Sequence, residues 1–382
     1  MSDEIKYMKR ALDLAANGLG KTFPNPLVGA VIVSGGEIVG EGFHGKAGGP
    51  HAEVEAIRSA GNRVRGSTLY INLEPCCHYG KTPPCTDAIL ESGIDRVVIA
   101  IKDPDSRVMG RGAGILRENG VDVRTGALAE EAIEINLPYL HKAITGKPFI
   151  VLKLAMTLDG RLGVPEGGWF TGDESRENVH RLRAAMEAVA VGSGTLAADV
   201  PMLDRRYFSD ASGPPIRMVF DSALSSRIPV QWGPGENRVI FYCTDRAAGE
   251  RRKEFEDEGV EVVLLPADGD GIDLTAWLEQ VSTDGITSVL IEGGRRIASS
   301  VAGKGLFDRF VAYHAPVLDG GAGDHWTGTD RDPGDEGERL ILKSSIALGQ
   351  DVLAIYDRER ITGYGRLLSD DDLMEERRCL PD

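Results

Sequence analysis

The sequence predicts an α/β protein of two domains, and three observations lead to this prediction. The chain has 382 residues, whereas a single domain typically takes about 150 residues. Apolar runs with helical spacing alternate with strand-like runs along both halves of the chain. A polar stretch, HKAITGKP at residues 141–148, separates the two halves and ends in proline. We therefore place a domain boundary between residues 145 and 146.

The first domain, residues 1–145, begins with a predicted helix, IKYMKRALDLAANG, followed by a β-hairpin, LVGAVIVSGGEIVGEGFH. The elements that follow are, in order, the helix HAEVEAIRSAG, the strand STLYINLEP, the helix CTDAILESG, the strand RVVIAIKDP, the helix RGAGILRENG and the short strand VDVRTG. This alternation predicts one sheet that is covered by helices.

The second domain, residues 146–358, contains the predicted strands FIVLKLAMTL and AVAVGS with the helix RENVHRLRAAMEA between them. Further predicted strands are IRMVFDS, RVIFYC, VEVVLLP, SVLIEGG and VLAIYDRER. Strands that alternate with helices predict a mostly parallel, doubly wound sheet. The Gly/Asp-rich residues 319–338 are predicted to form a surface loop, and residues 359–382 a peripheral charged tail.

Composition and charge restrict the class of protein. The chain is 42% apolar and 27% charged, as in soluble globular proteins, and its formal net charge is -16. Such an acidic surface repels nucleic acid phosphates. We expect no secretory signal and no membrane span, because no suitable apolar run occurs. Three of the five cysteines are clustered, which is unlike a disulfide framework and fits reduced thiols in a cytoplasmic protein.

The clustered cysteines and an earlier His-Ala-Glu tripeptide predict a catalytic metal site. His51, Cys76 and Cys85 are the residue types that bind zinc, and three protein ligands leave a fourth position for water. Glu53 follows His51 by two residues and can shuttle protons, as in zinc-dependent deaminases. Each fragment alone has a simpler interpretation, as a helix start or as buried small residues. Their combination is far more specific.

Several motifs resemble the bifunctional deaminase–reductase family of riboflavin biosynthesis. Eight residues separate the two ligand cysteines, in C-CHYGKTPP-C, where the usual deaminase signature has two. The other motifs are PNPLVGAVIV at 24–33, GGPHAEVEAI at 48–57, LKLAMTLDGRLG at 152–163, VHRLRAAMEAVAVGSGTLAADVPML at 179–203 and VLIEGG at 289–294. The resemblance extends from about residue 5 to residue 357.

The resemblance implies a fold and a function for each domain. The N-terminal domain is expected to have the three-layer cytidine deaminase fold and to use Zn²⁺ in the hydrolytic deamination of 2,5-diamino-6-(5-phosphoribosylamino)pyrimidin-4(3H)-one. The C-terminal domain is expected to resemble dihydrofolate reductase and to reduce the ribosyl side chain to ribityl with NADPH. A homo-oligomer, most simply a dimer, is also implied, with no nucleic acid or membrane partner.

The resemblance also assigns roles in the deaminase domain. His51, Cys76 and Cys85 would bind zinc, and Glu53 would be the catalytic proton donor and acceptor. Asn25 and Lys81 would contact the substrate. For Asn25, an Asx turn between two prolines is an alternative. For Lys81 the alternative is an exposed loop residue, and Cys77 is expected to lie beside the metal without binding it.

In the reductase domain the resemblance implies two sets of residues. The cofactor would be contacted by Ala155, Trp169, Thr195, Asp199, Ser222, Gly294 and Arg295. The substrate would be contacted by Lys153, Arg183, Leu203, Arg206 and Glu292. Glycines before a helix let a pyrophosphate approach the helix N-terminus, although a plain tight turn is an alternative. Arginines provide fixed positive charge for a phosphorylated sugar, although arginines on a helix are usually solvated.

Departures from the family pattern at Gly167, Val200 and Asp204 leave the efficiency of the reductase half open. Two alternatives to the bifunctional enzyme are left open. One is a deaminase with a degenerate reductase half, and the other is a binding module with structural zinc. A tRNA-editing deaminase is disfavoured by the acidic charge and by the cysteine spacing.

Overall fold

The computed structural model divides the chain into two compact units. It describes residues 3–80, 83–162, 170–206, 213–232, 238–320, 324–326 and 339–368. One unit comprises Met1–Gly146 with Gly363–Asp382, and the other comprises Lys147–Thr362. This division falls one residue after the boundary that we placed in the sequence. Among the described helices, none is long and apolar enough to cross a membrane.

The described residues form twelve α-helices and eighteen strands, which alternate along much of the chain. The helices are α1 (Asp3–Ala15), α2 (Ala52–Ala60), α3 (Cys85–Ser92), α4 (Arg111–Glu118), α5 (Ala129–Thr145), α6 (Asp173–Ala184), α7 (Ser193–Asp199), α8 (Gly249–Asp257), α9 (Leu274–Thr283), α10 (Arg295–Gly303), α11 (Glu359–Thr362) and α12 (Tyr364–Leu368). The strands are β1 (Gly29–Ser34), β2 (Glu37–Phe43), β3 (Thr68–Leu73), β4 (Arg96–Ile101), β5 (Asp122–Thr125), β6 (Phe149–Thr157), β7 (Arg161–Leu162), β8 (Ala188–Gly192), β9 (Ile216–Phe220), β10 (Val239–Cys243), β11 (Glu261–Leu264), β12 (Ala267–Asp268), β13 (Gly271–Ile272), β14 (Ser288–Glu292), β15 (Arg309–Ala315), β16 (Asp324–His325), β17 (Ile341–Leu348) and β18 (Asp351–Asp357).

The first unit is a sheet between two layers of helices. The strand order is β2-β1-β3-β4-β5, with β1 antiparallel to β2 and β3 and the other pairs parallel. Alternate strand residues such as Ile32 and Ile71 form a core with α2, α3 and α4 on one face. On the opposite face, α1 places Tyr7 against Tyr70, with ring centroids 5.2 Å apart. This is the predicted covered sheet.

Two glycines of β2 allow α2 to lie directly on the sheet. A Cβ atom on Gly40 would lie 2.4 Å from the carbonyl oxygen of Ala56, and one on Gly42 would lie 2.4 Å from that of Ala52. Larger residues would push the helix outward. The close approach fixes the N-terminus of α2, where His51 and Glu53 lie.

Helix α5 was not predicted from the sequence, and it includes part of the polar stretch that we took as a boundary. The helix has 17 residues and continues through Pro138 to Thr145. His141 is buried in this helix, and the hydroxyl of Tyr364, 2.8 Å from its Nδ1, provides a hydrogen-bond partner. The partner of this polar residue is more than 200 positions away in sequence, so local composition could not identify it.

The second unit contains a nine-stranded sheet. Its order is β11-β10-β9-β8-β14-β6-β15-β18-β17. The pairs from β11 to β15 are parallel, and β18 is antiparallel to both β15 and β17. The predicted mostly parallel sheet is therefore present. No pattern in the sequence predicted β15 or β17. The predicted loop at 319–338 lies mainly outside the described residues.

The predicted tail is divided between the two units. Residues Glu359–Thr362 form α11 and belong to the second unit, whereas α12 belongs to the first. Leu368 is fully buried, and its carbonyl oxygen accepts a hydrogen bond from the Lys102 amide at 2.9 Å. The residues after 368 lie outside the described part of the chain.

The packing of α12 predicts a local stability difference between two neighbouring leucines. Leu368→Ala should destabilise the first unit by about 2–5 kcal/mol, because it leaves a cavity beside α5. Leu367 is 43% exposed, so Leu367→Ala should change stability by less than about 0.5 kcal/mol. Hydrogen exchange of the α5 and β4 amides measures the difference. Equal protection in the two variants would contradict the packing of α12.

Candidate functional site

The three predicted metal ligands converge in the first unit. The donor atoms of His51, Cys76 and Cys85 all lie within 4.8 Å of one another. The His51 Nδ1 atom is 3.1 Å from the Cys85 sulfur and 3.5 Å from the Cys76 sulfur. Donors of a tetrahedral zinc site with bonds of about 2.0–2.3 Å lie roughly 3.3–3.8 Å apart. The donor set and its spacing therefore fit zinc.

Secondary structure places each of the donors. His51 occupies the N-cap position of α2, and Cys85 is the first residue of α3, as predicted. Cys76 follows β3 by three residues, and its sulfur accepts a hydrogen bond from the Cys85 amide at 3.4 Å. The ends of a strand and of two helices thus meet at one point, where backbone amides favour a thiolate.

The ionisation of the cysteines follows from these contacts. A hydrogen bond from the Cys85 thiol lowers the pKa of Cys76 to about 4, and the same contact raises the pKa of Cys85. Glu53 is only 3% exposed, and its burial raises the pKa of this carboxyl group to about 7. Glu53 also hydrogen-bonds the Cys85 side chain. A buried carboxyl group therefore lies directly beside the donor cluster.

Asn25 is connected to the donor cluster by the buried His44, whose ring centroid lies 5.6 Å from that of His51. Its Nδ2 atom lies 3.0 Å from Nε2 of His44, and Nδ1 of His44 lies 3.0 Å from the carbonyl oxygen of Pro50. The carbonyl oxygen can only accept, so Nδ1 of His44 donates to it. Nε2 of the neutral ring then accepts from Asn25. The Oδ1 atom of Asn25 remains an acceptor for a ligand.

Two buried asparagines, neither of which was predicted from the sequence as a site residue, fix the segment that contains Asn25. The amide of Leu27 donates to Asn136 Oδ1 at 2.8 Å, and its carbonyl oxygen accepts from Asn136 and Asn72 at 3.0 and 2.9 Å. Asn72 also accepts from the Gly29 amide at 2.8 Å. A polar residue within the otherwise apolar strand STLYINLEP was the available signal for Asn72.

The loop between the ligand cysteines is only partly described. The Cys77 sulfur lies 3.4 Å from the carbonyl oxygen of Arg107, so it interacts away from the donor cluster. Burial raises the pKa of the Cys77 thiol. Lys81, a predicted substrate contact, lies outside the described residues.

The second unit contains a buried charge cluster at the end of β14. Arg183 donates to both oxygens of Glu292, at 2.6 and 3.0 Å, and the Lys153 Nζ atom lies 3.6 Å from Glu292. Burial alone would raise the pKa of Glu292, but the charges of Arg183 and Lys153 lower it to about 2. Burial lowers the pKa of Lys153, against the effect of Glu292. The three predicted substrate residues are therefore in contact.

Tyr313 extends this cluster, and its place there was not predicted from the sequence. Lys153 lies over its ring, with Nζ 5.6 Å from the centroid, and the Tyr313 hydroxyl donates to Asn178 Oδ1 at 2.6 Å. Tyr313 is paired in register with Ala155, a predicted cofactor contact on β6. No pattern identified β15, so the proximity of Tyr313 had no sequence signal.

The loop with Leu203 and Arg206 is fixed through its carbonyl oxygens. Trp232 donates to the carbonyl of Pro201 at 3.0 Å, and Arg217 donates to that of Met202 at 3.1 Å. Leu203 has a left-handed φ of 48° and a side chain that is 2% exposed. Arg206 forms an ion pair with Asp204 at 3.0 Å. The structure thus buries Leu203 and leaves Arg206 at the surface.

The predicted cofactor residues lie mainly on two glycine-containing turns. Thr195 Oγ1 accepts a hydrogen bond from the Gly294 amide at 3.0 Å, which joins the start of α7 to the start of α10. Arg295 begins α10, and Asp199 ends α7 with an exposed side chain. Ser222 follows β9 and lies 3.5 Å from the carbonyl oxygen of Asp270. Trp169 lies outside the described residues.

Family comparisons agree with both halves of the chain. The model of the cytidine and deoxycytidylate deaminase zinc-binding region matches residues 1–101. The model of the RibD C-terminal domain matches residues 148–354. The chain is therefore of the class that joins a zinc-binding deaminase domain to a reductase domain, and the predicted fold class is confirmed.

Individual relatives make the assignment more specific. Riboflavin biosynthesis protein RibD of Actinobacillus pleuropneumoniae is 39% identical over 360 residues, which cover 92% of this chain and 95% of that protein. RibD of Escherichia coli (strain K12) is 41% identical over 335 residues, covering 83% and 89%. The chain belongs to the RibD family, as the sequence motifs predicted, and is a bifunctional deaminase and reductase of riboflavin biosynthesis.

Solved structures give the same result. Acinetobacter baumannii RibD, form 1, has a TM-score of 0.81 and 35% identity, covering 93% of this chain and 98% of that one. A diaminohydroxyphosphoribosylaminopyrimidine deaminase/5-amino-6-(5-phosphoribosylamino)uracil reductase from Thermotoga maritima has a TM-score of 0.80 and 34% identity, with the same coverage. The roles of individual residues stay predictions.

The donor geometry predicts different roles for adjacent cysteines. Cys76→Ser and Cys85→Ser should each lose bound zinc and ammonia release, because a serine hydroxyl is a poor substitute for a thiolate ligand. Cys77→Ser should retain both, because the Cys77 sulfur faces Arg107. Metal analysis and an ammonia assay on the three variants measure this. Loss of zinc from Cys77→Ser would contradict the assignment.

The charge cluster predicts a pH dependence of stability in the second unit. The pKa of Glu292 falls from 4.5 to about 2 on folding, so the ionised carboxylate stabilises the fold above about pH 4.5. This contribution, on the order of 3 kcal/mol, should decrease as the pH falls from about 4.5 toward 2. Glu292→Gln should remove this part of the dependence and lower stability at neutral pH, because Arg183 and Lys153 lose their carboxylate.

Tryptophan fluorescence during urea unfolding at several pH values provides the measurement. All four tryptophans, at positions 169, 232, 277 and 326, belong to the second unit. Glu261→Gln is the control, because Glu261 pairs with Arg238 at the surface and should contribute less than about 1 kcal/mol. An unchanged pH profile in Glu292→Gln would show that the cluster does not ionise as described.

Proposed function

We propose that the first unit releases the 2-amino group of 2,5-diamino-6-(5-phosphoribosylamino)pyrimidin-4(3H)-one as ammonia. The second unit then reduces the ribosyl side chain of the deaminated product to ribityl with NADPH. The observation that supports the deaminase step most directly is the buried Glu53 beside the donors of His51, Cys76 and Cys85. The activities named for the Thermotoga maritima relative support the order and the substrate.

The three donors would hold one zinc ion and leave a position for water. Among the described residues, only these three acidic, histidine or cysteine side chains form a group with metal-binding spacing. A structural zinc normally has four protein ligands, so a three-donor group favours a catalytic role. When bound, zinc would supply a water whose pKa is low enough for nucleophilic attack near neutral pH.

Glu53 and Asn25 would act on the pyrimidine itself. The carboxylate of Glu53 takes a proton from the attacking water and passes it to the departing amino nitrogen. The Oδ1 atom of Asn25 accepts a hydrogen bond from a ring N–H or amino group, since its Nδ2 atom already faces His44. Asn72 and Asn136 hold the backbone next to Asn25, which keeps this acceptor in place.

The second unit would bind the dinucleotide at its two glycine-containing turns. The bond between Thr195 and Gly294 keeps the turns together at the ends of β8 and β14, and helix N-termini favour phosphate. Ligands in open parallel sheets bind beyond the carboxyl ends of the strands. NADPH, when bound there, would supply the hydride. Ala155, Trp169, Asp199, Ser222 and Arg295 remain proposed contacts.

The charge cluster would bind the phosphorylated sugar. Arg183 and Lys153 together exceed the charge of Glu292 by one, so the cluster offers net positive charge in an acidic protein. The bidentate pair also orients Arg183, whose Nη1 group donates to the carbonyl oxygen of Asp204 at 3.4 Å, and the other N–H groups would face the substrate. Arg206 would add surface charge for the phosphate, and Lys81 would do so in the first unit.

The proposal predicts that Glu53→Gln separates the two activities. Ammonia release should fall by about 10²–10⁴-fold, because the amide cannot accept and return a proton. Zinc content should be unchanged, since Glu53 is not a proposed ligand. NADPH oxidation with the previously deaminated intermediate should stay within about twofold of the parent protein. Metal analysis, an ammonia assay and NADPH absorbance measure the three quantities.

Two outcomes would favour the alternatives. Full ammonia release by Glu53→Gln would contradict the catalytic role of this residue and favour a structural zinc. A normal deaminase rate without any NADPH oxidation by the parent protein would indicate a degenerate reductase half. The cytoplasmic location and the homodimer that the sequence analysis expects also stay predictions.

A further inference from the structure

Glu74 lies between β3 and the ligand Cys76, and its buried carboxylate binds three backbone amides. The side chain is 3% exposed. Its oxygens accept from the amides of Gly110 and Ala113, both at 2.9 Å, and from that of Asp103 at 3.3 Å. The carboxylate thus joins the strand end that leads to the metal site to a segment about 30 residues further along the chain.

These bonds replace the missing cap of α4. Gly110 is the N-cap residue of this helix, with a left-handed φ of 76° and no side chain to bond the first-turn amides. The first amides of a helix lack partners within the helix and attract negative charge. Glu74 supplies both an acceptor and a negative charge from another part of the fold.

A glycine in the first turn of α4 brings the helix against the peptide before Cys76. A Cβ atom on Gly112 would lie 2.2 Å from the carbonyl oxygen of Pro75 and 3.3 Å from Oε1 of Glu74. From another direction, the amides of Thr86 and Cys85 donate to the carbonyl oxygen and the sulfur of Cys76, at 3.2 and 3.4 Å. Cys76 therefore lies between the first turns of α3 and α4.

We propose that Glu74 and Gly112 are positioning residues for Cys76, which they place at binding distance from His51 and Cys85. This inference depends on the proposed zinc site. Displacement of the Pro75 carbonyl by a side chain at 112 moves the sulfur away from the other two donors. A misplaced ligand accelerates zinc loss, and changes behind the ligands of a metal site typically cost 10–100-fold in affinity or activity.

Gly112→Ala tests the proposal, with Gly114→Ala as a matched control in the same helix. A Cβ atom on Gly114 would have no neighbour within 4 Å, and neither glycine has a left-handed φ. In zinc-loaded full-length protein, Gly112→Ala should transfer zinc to a chelator about 10–100-fold faster than the parent. Its deaminase kcat should fall, whereas NADPH oxidation with the deaminated intermediate should be unchanged. Gly114→Ala should match the parent in all three measurements.

Glu74→Gln is a second variant that adds no volume. The new side-chain amide has a single acceptor oxygen. It can no longer accept both from the Ala113 amide and from the Gly110 and Asp103 amides, so faster zinc transfer is again expected. If Gly112→Ala does not fold, Glu74→Gln by itself tests the positioning role. A solely structural role would lower the melting temperature without changing the rate of zinc transfer.

The outcomes separate this inference from the proposed function. Equal zinc transfer rates in the parent, Gly112→Ala and Glu74→Gln would overturn the positioning role, while loss of zinc from Cys76→Ser would still support the zinc site. Retention of zinc by Cys76→Ser would overturn the zinc site and the positioning role together.

Discussion

The deaminase half depends on the convergence of helix N-termini at the end of one strand. His51 directly precedes α2, Cys85 begins α3, and both lie close to Cys76, which follows β3 by three positions. Soft thiolate and imidazole donors require this closeness to bind zinc. The Cys85 amide at the start of α3 donates to the Cys76 sulfur and so favours the negative charge of that thiolate. The geometry that brings the donors together therefore also stabilises the thiolate form of Cys76.

The surrounding fold makes this convergence possible through close backbone contacts. Glycines at positions 40 and 42 let α2 rest on β2, and Gly112 lets α4 rest on the peptide before Cys76. Small residues at these places have no catalytic chemistry of their own. They determine distances, and the groups of a functional site have to be held within about 0.5 Å of their productive geometry.

In the reductase half the main constraint is a different one, the burial of charged side chains. Lys153 and Glu292 are paired in register on neighbouring parallel strands, and Arg183 reaches them from the last turn of α6. An isolated buried ion is costly, but bidentate bonds and a third charge compensate. The departures at Val200 and Asp204 leave this cluster intact, because Arg183 and Glu292 remain bonded. The same parallel sheet positions both the cluster and the two glycine-containing turns.

The sequence by itself determined the fold class and the family, and it predicted which three residues would bind zinc, because periodicity and unusual spacing are local signals. It did not reveal α5, β15 or the packing of α12. Those elements depend on partners far away in the chain, such as Tyr364 for His141. Tertiary structure alone showed Tyr313 beside Lys153, and the carboxylate of Glu74 at the start of α4. A buried polar residue is understood only through its partner, and pairing at long range leaves no periodic pattern in the sequence.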